Sequence, residues 1–327
     1  MPFRPLCRAE EFFRLSLESL QVPVRTLSGH ERTRPARSRR HRPPMTESLF
    51  PARPRMPSPG AVLLLPGLCS TADELLHLQS ALRRAGWALS TPHIEGYSFD
   101  ASRERQEAGR FSDWVARVCE EARRLRERHR TVLLAGISAG ASLALAAVAR
   151  LGDGADGLVL MSTTLRMDGW SARRGRWLLP LALYTPLGRL WRYRERAPYG
   201  VKNERVRAWI EQELKLRRIS RAGCAAIGVG HLREYDRLRR TVRQHLSHVR
   251  CPVLALHARD DEVASLSNIE LLARGLTHAP LQTVVLENSY HMISIDNDRR
   301  QVAQETIDFA RSVADGHRPR SSSTAPS

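Results

Sequence analysis

The sequence predicts an α/β fold: a mostly parallel sheet flanked by helices, with a helical cap inserted into it. Two patterns lead there. Short, unbroken apolar runs such as Ala61–Leu65 recur along the chain, as strands buried on both faces require, and amphipathic segments separate them. The alternation then fails over residues 166–249, where helical spacing, aromatic rings and arginines replace any convincing strand signal.

The elements follow in order. Residues 1–58 precede the first strand and form a basic segment. Residues 11–24 have the spacing of a short amphipathic helix, but residues 32–55 are largely arginine and proline. Too little apolar surface is present there to offset the entropy of ordering, so a disordered arm is expected. Met45 and Met56 both precede the first strand and are candidate starts of translation. The core is expected over 59–165 and 250–314. Within it, residues 71–85 carry Leu75, Leu78 and Leu82 on one helical face, and 87–90 form the next strand. Residues 113–128 place Trp114, Val118 and Leu125 inward and charges outward. A buried strand over 131–135 leads to the alanine-rich helix Ala139–Leu151, then to a strand at 158–161. After the insertion come strands at 253–256 and 283–286, and helices over Ser267–Gly275 and 299–313. Ser294 or Asp296 is placed to cap the last helix. The polar tail, 315–327, is expected to be disordered.

Charge and cysteine content narrow the class. The formal charge is +18, and arginine carries nearly all of it, since Lys202 and Lys215 are the only lysines. This balance fits weak association with an anionic membrane surface, or a plain solvated exterior. No nucleic-acid-binding module accompanies it, so no specific nucleic-acid partner is expected. In the insertion, arginines alternate with Trp170, Trp177, Tyr184, Trp191, Tyr193, Tyr199 and Trp209. These rings are expected to form the insertion's own core; a membrane-facing surface is the alternative. The five cysteines, Cys7, Cys69, Cys119, Cys224 and Cys251, include no CxxC pair, which argues against a disulfide framework or a zinc site. A reducing, cytoplasmic location is expected. No apolar run approaches the roughly 20 residues that cross a bilayer, and charges from Arg4 to Arg14 interrupt any signal-peptide core.

The sharpest motif is Gly136-Ile137-Ser138-Ala139-Gly140, which follows a strand and opens a helix. That context makes Ser138 a candidate nucleophile on a tight turn, with the helix N-terminus directed at the place where an oxyanion forms. A serine needs a base, and the base needs an orienting acid. His257-Ala-Arg-Asp260-Asp261-Glu262-Val263 follows a strand, and Asp261 is the expected acid, with Asp260 and Glu262 as alternatives. Glu287-Asn-Ser-Tyr-His291-Met follows the next strand, and His291 is the expected base. His257 and His278 are weaker candidates, His257 reading as structural. Two backbone amides complete the site: Ala139, directly after the nucleophile, and Leu68, in the loop Pro66-Gly-Leu-Cys-Ser70 after the first strand. Cys69 has no base in the sequence and reads as a bystander that would sensitise the protein to thiol reagents.

The segments LLPGLCS, GISAG, HARDDEV and NSYHMISID resemble the α/β-hydrolase superfamily. They are most similar to its bacterial carboxylesterase and monoacylglycerol-lipase-like branch, grouped with serine aminopeptidase-type hydrolases. The similarity runs from about residue 61 to 313. The resemblance implies Ser138, Asp261 and His291 as the triad, as the residues themselves suggest. It departs at Pro66, where many members carry histidine. It also implies a carboxylic ester hydrolase acting through an acyl-enzyme on a small-molecule ester, a short- to medium-chain acyl ester or a monoacylglycerol. No cofactor or metal is implied. A peptidase or amidase of the same fold is the alternative enzyme. A non-catalytic ligand-binding protein on the same scaffold is the alternative from another class.

Overall fold

A computed structural model describes residues 59–100, 107–171, 183–185, 192–194, 196–216, 219–220, 223–224 and 226–316. The expected arm over 1–58 and nearly all of the expected tail lie outside the described residues. So do Trp177, Trp191 and the side chain of Tyr193.

In chain order the strands begin with β1 (Ala61–Leu65), β2 (Ala88–Ser90), β3 (Val132–Ile137) and β4 (Gly157–Met161). They continue with β5 (Arg192–Arg194), β6 (Ile219–Ser220), β7 (Gly223–Cys224), β8 (Ala226–Gly228), β9 (Val253–Ala258) and β10 (Leu281–Leu286). The helices are α1 (Leu76–Arg84), α2 (Phe111–Arg126), α3 (Ala139–Leu151), α4 (Glu204–Leu216), α5 (Val229–His245), α6 (Ser267–Gly275) and α7 (Arg299–Gly316).

Six strands form one parallel sheet in the order β10-β9-β4-β3-β1-β2. The chain starts at β1, steps out to the edge at β2, returns to β3 on the other side, and then continues outward. The reversal between β1 and β3 leaves a crevice at the carboxyl ends of the strands, the usual place for a site in an open α/β sheet. Register brings the walls of that crevice level: Leu65 pairs with Gly136, and Leu286 with Ala258.

Strand periodicity divides the core into two layers. Leu63 and Leu65 face α2, α3, α5 and α6, where Trp114, Leu143, Tyr235 and Leu272 are buried. Val62 and Leu64 face α1 and α7, against Leu78, Leu82, Phe309 and Val313. Each fully buried leucine contributes about 1.5–3 kcal/mol of transfer free energy. The sheet is thus fixed from both sides, and the loops at its carboxyl edge stand on a rigid base.

The insertion differs from the helical cap expected. Besides α4, it contains two short antiparallel pairs, β5 with β8 and β6 with β7. Strands of two or three residues are too short for a period-two pattern to show in sequence. Its last helix, α5, belongs to the main core: Tyr235, Leu238 and Val242 pack with α3, and the Tyr235 hydroxyl donates to the Thr164 carbonyl at 2.7 Å. The expected aromatic core forms only in part. Trp170 and Tyr184 are exposed, whereas Tyr199 and Trp209 are half-buried against Val201, Ile210 and Met292. Helix α7 runs to Gly316, past the expected boundary at 314. Neither predicted cap serves it. The Asp296 carboxylate instead accepts the backbone amides of Lys202, Asn203, Tyr290 and Asn297, and the buried Ser294 hydroxyl has no partner among the described residues.

Candidate active site

The elbow at the end of β3 explains its own glycines. A Cβ on Gly136 would stand 2.2 Å from the Gly140 carbonyl oxygen, and one on Gly140 would stand 2.1 Å from the Leu65 carbonyl oxygen. Only hydrogen fits at both, so the helix can start directly on the strand. Ser138 between them has φ +54° and ψ −116°, a backbone state rare for a side-chain-bearing residue and costing on the order of 1–3 kcal/mol. Its own amide still bonds the Met161 carbonyl at 2.9 Å, and its carbonyl accepts from Ala141 and Ser142. The strain is therefore held by the sheet on one side and by α3 on the other.

The loops after β9 and β10 bring the two partners to this serine. His291 Nε2 lies 2.9 Å from Ser138 Oγ. On its other side, His291 Nδ1 lies 2.8 and 3.0 Å from the two Asp261 carboxylate oxygens. Asp261 Oδ1 also accepts the Val263 and Ala264 amides, each at 2.8 Å, which fixes the carboxylate. Burial works to raise the Asp261 pKa, but His291 and these donors hold it below the usual carboxylate range. Burial works to lower the His291 pKa, yet the Asp261 charge overrides it, with help from Glu262 and Glu74, and raises it to about 9.

The alternative acids fall elsewhere. Asp260 is half-exposed and pairs with Lys202 Nζ at 3.0 Å. Glu262 is buried, and its Oε2 accepts the His291 backbone amide at 3.1 Å. It steadies His291 from behind. His257 is fully buried, with Nε2 bonded to the Ala264 carbonyl at 2.7 Å. Burial lowers its pKa, so it is a neutral structural residue of the acid loop. His278 lies in the turn before β10, at the opposite end of the sheet from the elbow.

The two expected donor amides lie on the loops that wall the crevice. Among the described residues, neither Leu68 nor Ala139 commits its amide to a protein acceptor, whereas Gly67, Cys69 and Ser70 do. Cys69 does not offer an open thiol to reagents. It is buried beside Cys224, and that hydrogen-bonded contact, with burial, raises its pKa well above the usual thiol value. Ser162 escaped the sequence reading altogether. Its hydroxyl donates to the His291 carbonyl at 2.6 Å, and a lone serine at a strand end carries no sequence signal for that role. Glu74 was likewise read only as part of a helix; it is buried beneath the donor loop. Among the described residues, no group of three or more His, Cys, Asp or Glu side chains is arranged to hold a metal ion.

Comparison with known proteins places this geometry in a family. The family model described as serine aminopeptidase, S33 matches residues 57–298, a span that includes Ser138, Asp261 and His291. The chain belongs to the serine aminopeptidase S33 family. Within its range of relatives, this S33 member is 26% identical over 251 residues to a thermostable monoacylglycerol lipase from Bacillus sp. (strain H-257), covering 77% of this chain and 90% of that protein. A solved structure of the metagenome-derived lipolytic enzymes LipS and LipT superposes with a TM-score of 0.63 at 22% identity, covering 78% of this chain and 94% of that one. The monoacylglycerol lipase of Paleococcus ferrophilus gives 0.62 at 16% identity, covering 79% and 96%. The S33 chain therefore has the α/β-hydrolase fold. No helix among the described residues is long and apolar enough to cross a membrane.

Proposed function

We propose that the protein is a carboxylic ester hydrolase that works through an acyl-enzyme on Ser138. The observation that carries this reading is the unbroken relay Asp261–His291–Ser138, ending on a strained elbow. In this mechanism His291 takes the Ser138 proton as the hydroxyl attacks an ester carbonyl. The tetrahedral oxyanion accepts hydrogen bonds from the Leu68 and Ala139 amides. Asp261 keeps the imidazole in the right tautomer and stabilises the imidazolium. His291 then protonates the departing alcohol, and water releases the acid by the same steps in reverse.

The substrates we assign are short- to medium-chain acyl esters or monoacylglycerols, by analogy with the lipases the chain resembles. A panel of p-nitrophenyl esters from acetate to palmitate, with monoacylglycerols alongside, tests the assignment. Amide hydrolysis is the second reading, favoured by the family's description as an aminopeptidase. Aminoacyl p-nitroanilides in the same panel separate the two. A cytoplasmic location belongs to this reading, supported by four buried free thiols at Cys69, Cys119, Cys224 and Cys251.

Weak association with an anionic membrane also belongs to it. Trp170 is 60% exposed and Tyr184 41%, and Arg194 and Arg196 are exposed in the same insertion. Vesicles containing phosphatidylglycerol should cosediment the protein at low salt and release it as salt rises. Absence of binding at low salt removes this part of the reading.

A further inference from the structure

We infer that Glu74 is a positioning residue that holds the oxyanion loop in register with the nucleophile elbow. The inference rests on the serine-hydrolase reading of the site and adds a residue to it. Glu74 sits on the single 3-10 turn Ala72–Leu75 that follows the loop, and only 2% of it is exposed. A buried carboxylate is costly and needs partners. Its partner here is the loop itself: Oε2 accepts the Gly67 amide at 2.7 Å. A Cβ on Gly67 would stand only 3.2 Å from Glu74 Oε1, so the carboxylate lies flat against the backbone.

The rest of the loop is fixed from the other side. Buried Tyr97 donates its hydroxyl to the Pro66 carbonyl at 2.7 Å, and its own carbonyl accepts the Cys69 amide at 2.9 Å. Ser70 bonds back to the Gly67 carbonyl at 3.2 Å. Proline at position 66 offers neither an amide nor a polar side chain to secure this turn. Glu74 therefore anchors the residue before Leu68, and Tyr97 anchors the one after. Together they fix the Pro66–Gly67 and Leu68–Cys69 peptide planes, and the Ser70 amide on the Gly67 carbonyl holds the plane between them, and with it the direction of the Leu68 amide. Preorganisation of that kind makes a donor effective at the moment charge develops.

The carboxyl has a second consequence. Burial pushes the Glu74 pKa up to about 7, against the pull of the Gly67 amide, nearby Ser70 and His291. Tyr97, whose own pKa is raised by burial and then by Glu74, faces it from the next loop. His291 is faced in turn by Asp261, Glu262 and Glu74, and interacts with His257. Loss of the Glu74 charge should therefore make the His291 imidazolium easier to deprotonate.

The test compares Glu74→Gln and Glu74→Ala with wild type on p-nitrophenyl acetate across pH, with circular dichroism to check folding. Glutamine keeps an oxygen for the Gly67 amide and removes the charge. Its plateau kcat should stay within about 3-fold of wild type, while the acid limb of kcat/KM moves to lower pH by about half a unit. Alanine leaves the Gly67 amide unpaired, and plateau kcat should fall about 10- to 100-fold with KM changed far less. A folded alanine variant with kcat within about 2-fold of wild type overturns the proposal. If the alanine variant does not fold, the glutamine variant decides: a shifted acid limb supports the proposal, and an unmoved limb overturns it. Failure of wild type itself to hydrolyse any ester strikes the underlying reading instead.

Discussion

The hydroxyl of Ser162 donates to the backbone carbonyl of His291 at 2.6 Å, joining the end of β4 to a loop 129 residues later. With Glu262 on the amide of the same residue, both backbone polar groups of buried His291 are satisfied. Replacing Ser162 by alanine removes the shorter of two hydrogen bonds to that carbonyl, which keeps the Ile293 amide at 3.0 Å, at a cost of about 0.5–1.5 kcal/mol. We expect a lower urea midpoint and about a 10-fold drop in kcat/KM, since imidazole aim depends on that loop. Unchanged turnover would show that Asp261 alone positions the ring.

Asp261→Asn should reduce ester turnover on the order of 10³- to 10⁴-fold, because an amide favours the wrong imidazole tautomer. Asp260→Asn should stay within about 3-fold of wild type. Asp260 is half-exposed and pairs with Lys202, a contact worth less than about 1 kcal/mol. Steady-state kinetics of the two purified variants checks the difference, and a more damaging Asp260 substitution reassigns the acid.

The pH dependence follows from His291. An imidazolium cannot accept the Ser138 proton, and its pKa is raised to about 9. In the free enzyme, kcat/KM should therefore rise with pH through the neutral range and level off near 9. The linkage to stability has the opposite sense. The folded pKa lies above the ordinary 6.5, so the stabilising contribution of His291 is complete below about 6.5 and is lost as pH rises through about 9. Asp261, held below its ordinary 3.8, contributes above that pH and loses its contribution on acidification. Activity and melting temperature measured across pH 6–10 should thus move in opposite directions. An activity maximum near pH 6 contradicts the raised base.

How much of this was legible in the sequence depends on the reach of each constraint. Gly136 and Gly140 are required by contacts within a few residues and by one neighbouring strand, so the elbow announces itself locally. Asp261 and His291 stand out because each follows a strand run in the expected order, and only geometry separates Asp261 from Asp260 and Glu262 as the partner of His291. The supporting residues were not legible. Ser162, Glu262 and Glu74 act through backbone groups, and what a backbone group needs leaves no trace in residue type. The insertion reads as a helical cap because its strand pairs are shorter than one repeat of the pattern that reveals strands.

Gly140→Ala tests the close packing of elbow and first strand. Its Cβ would lie 2.1 Å from the Leu65 carbonyl oxygen, so strand and helix must separate. Overpacking of this kind costs about 1–3 kcal/mol or more. We expect a clear drop in urea midpoint together with loss of ester turnover, since Ser138 and the Leu68 loop would move apart. A variant as stable and as active as wild type would contradict the packing described.

Covalent trapping shows whether Ser138 carries the acyl group. The protein is exposed to a fluorophosphonate, digested and analysed by mass spectrometry, with Ser138→Ala treated in parallel. A single adduct on Ser138 should form in step with loss of ester hydrolysis, with neither adduct nor turnover in the alanine variant. An adduct on another residue, or a Ser138→Ala protein that hydrolyses esters at the wild-type rate, would contradict it.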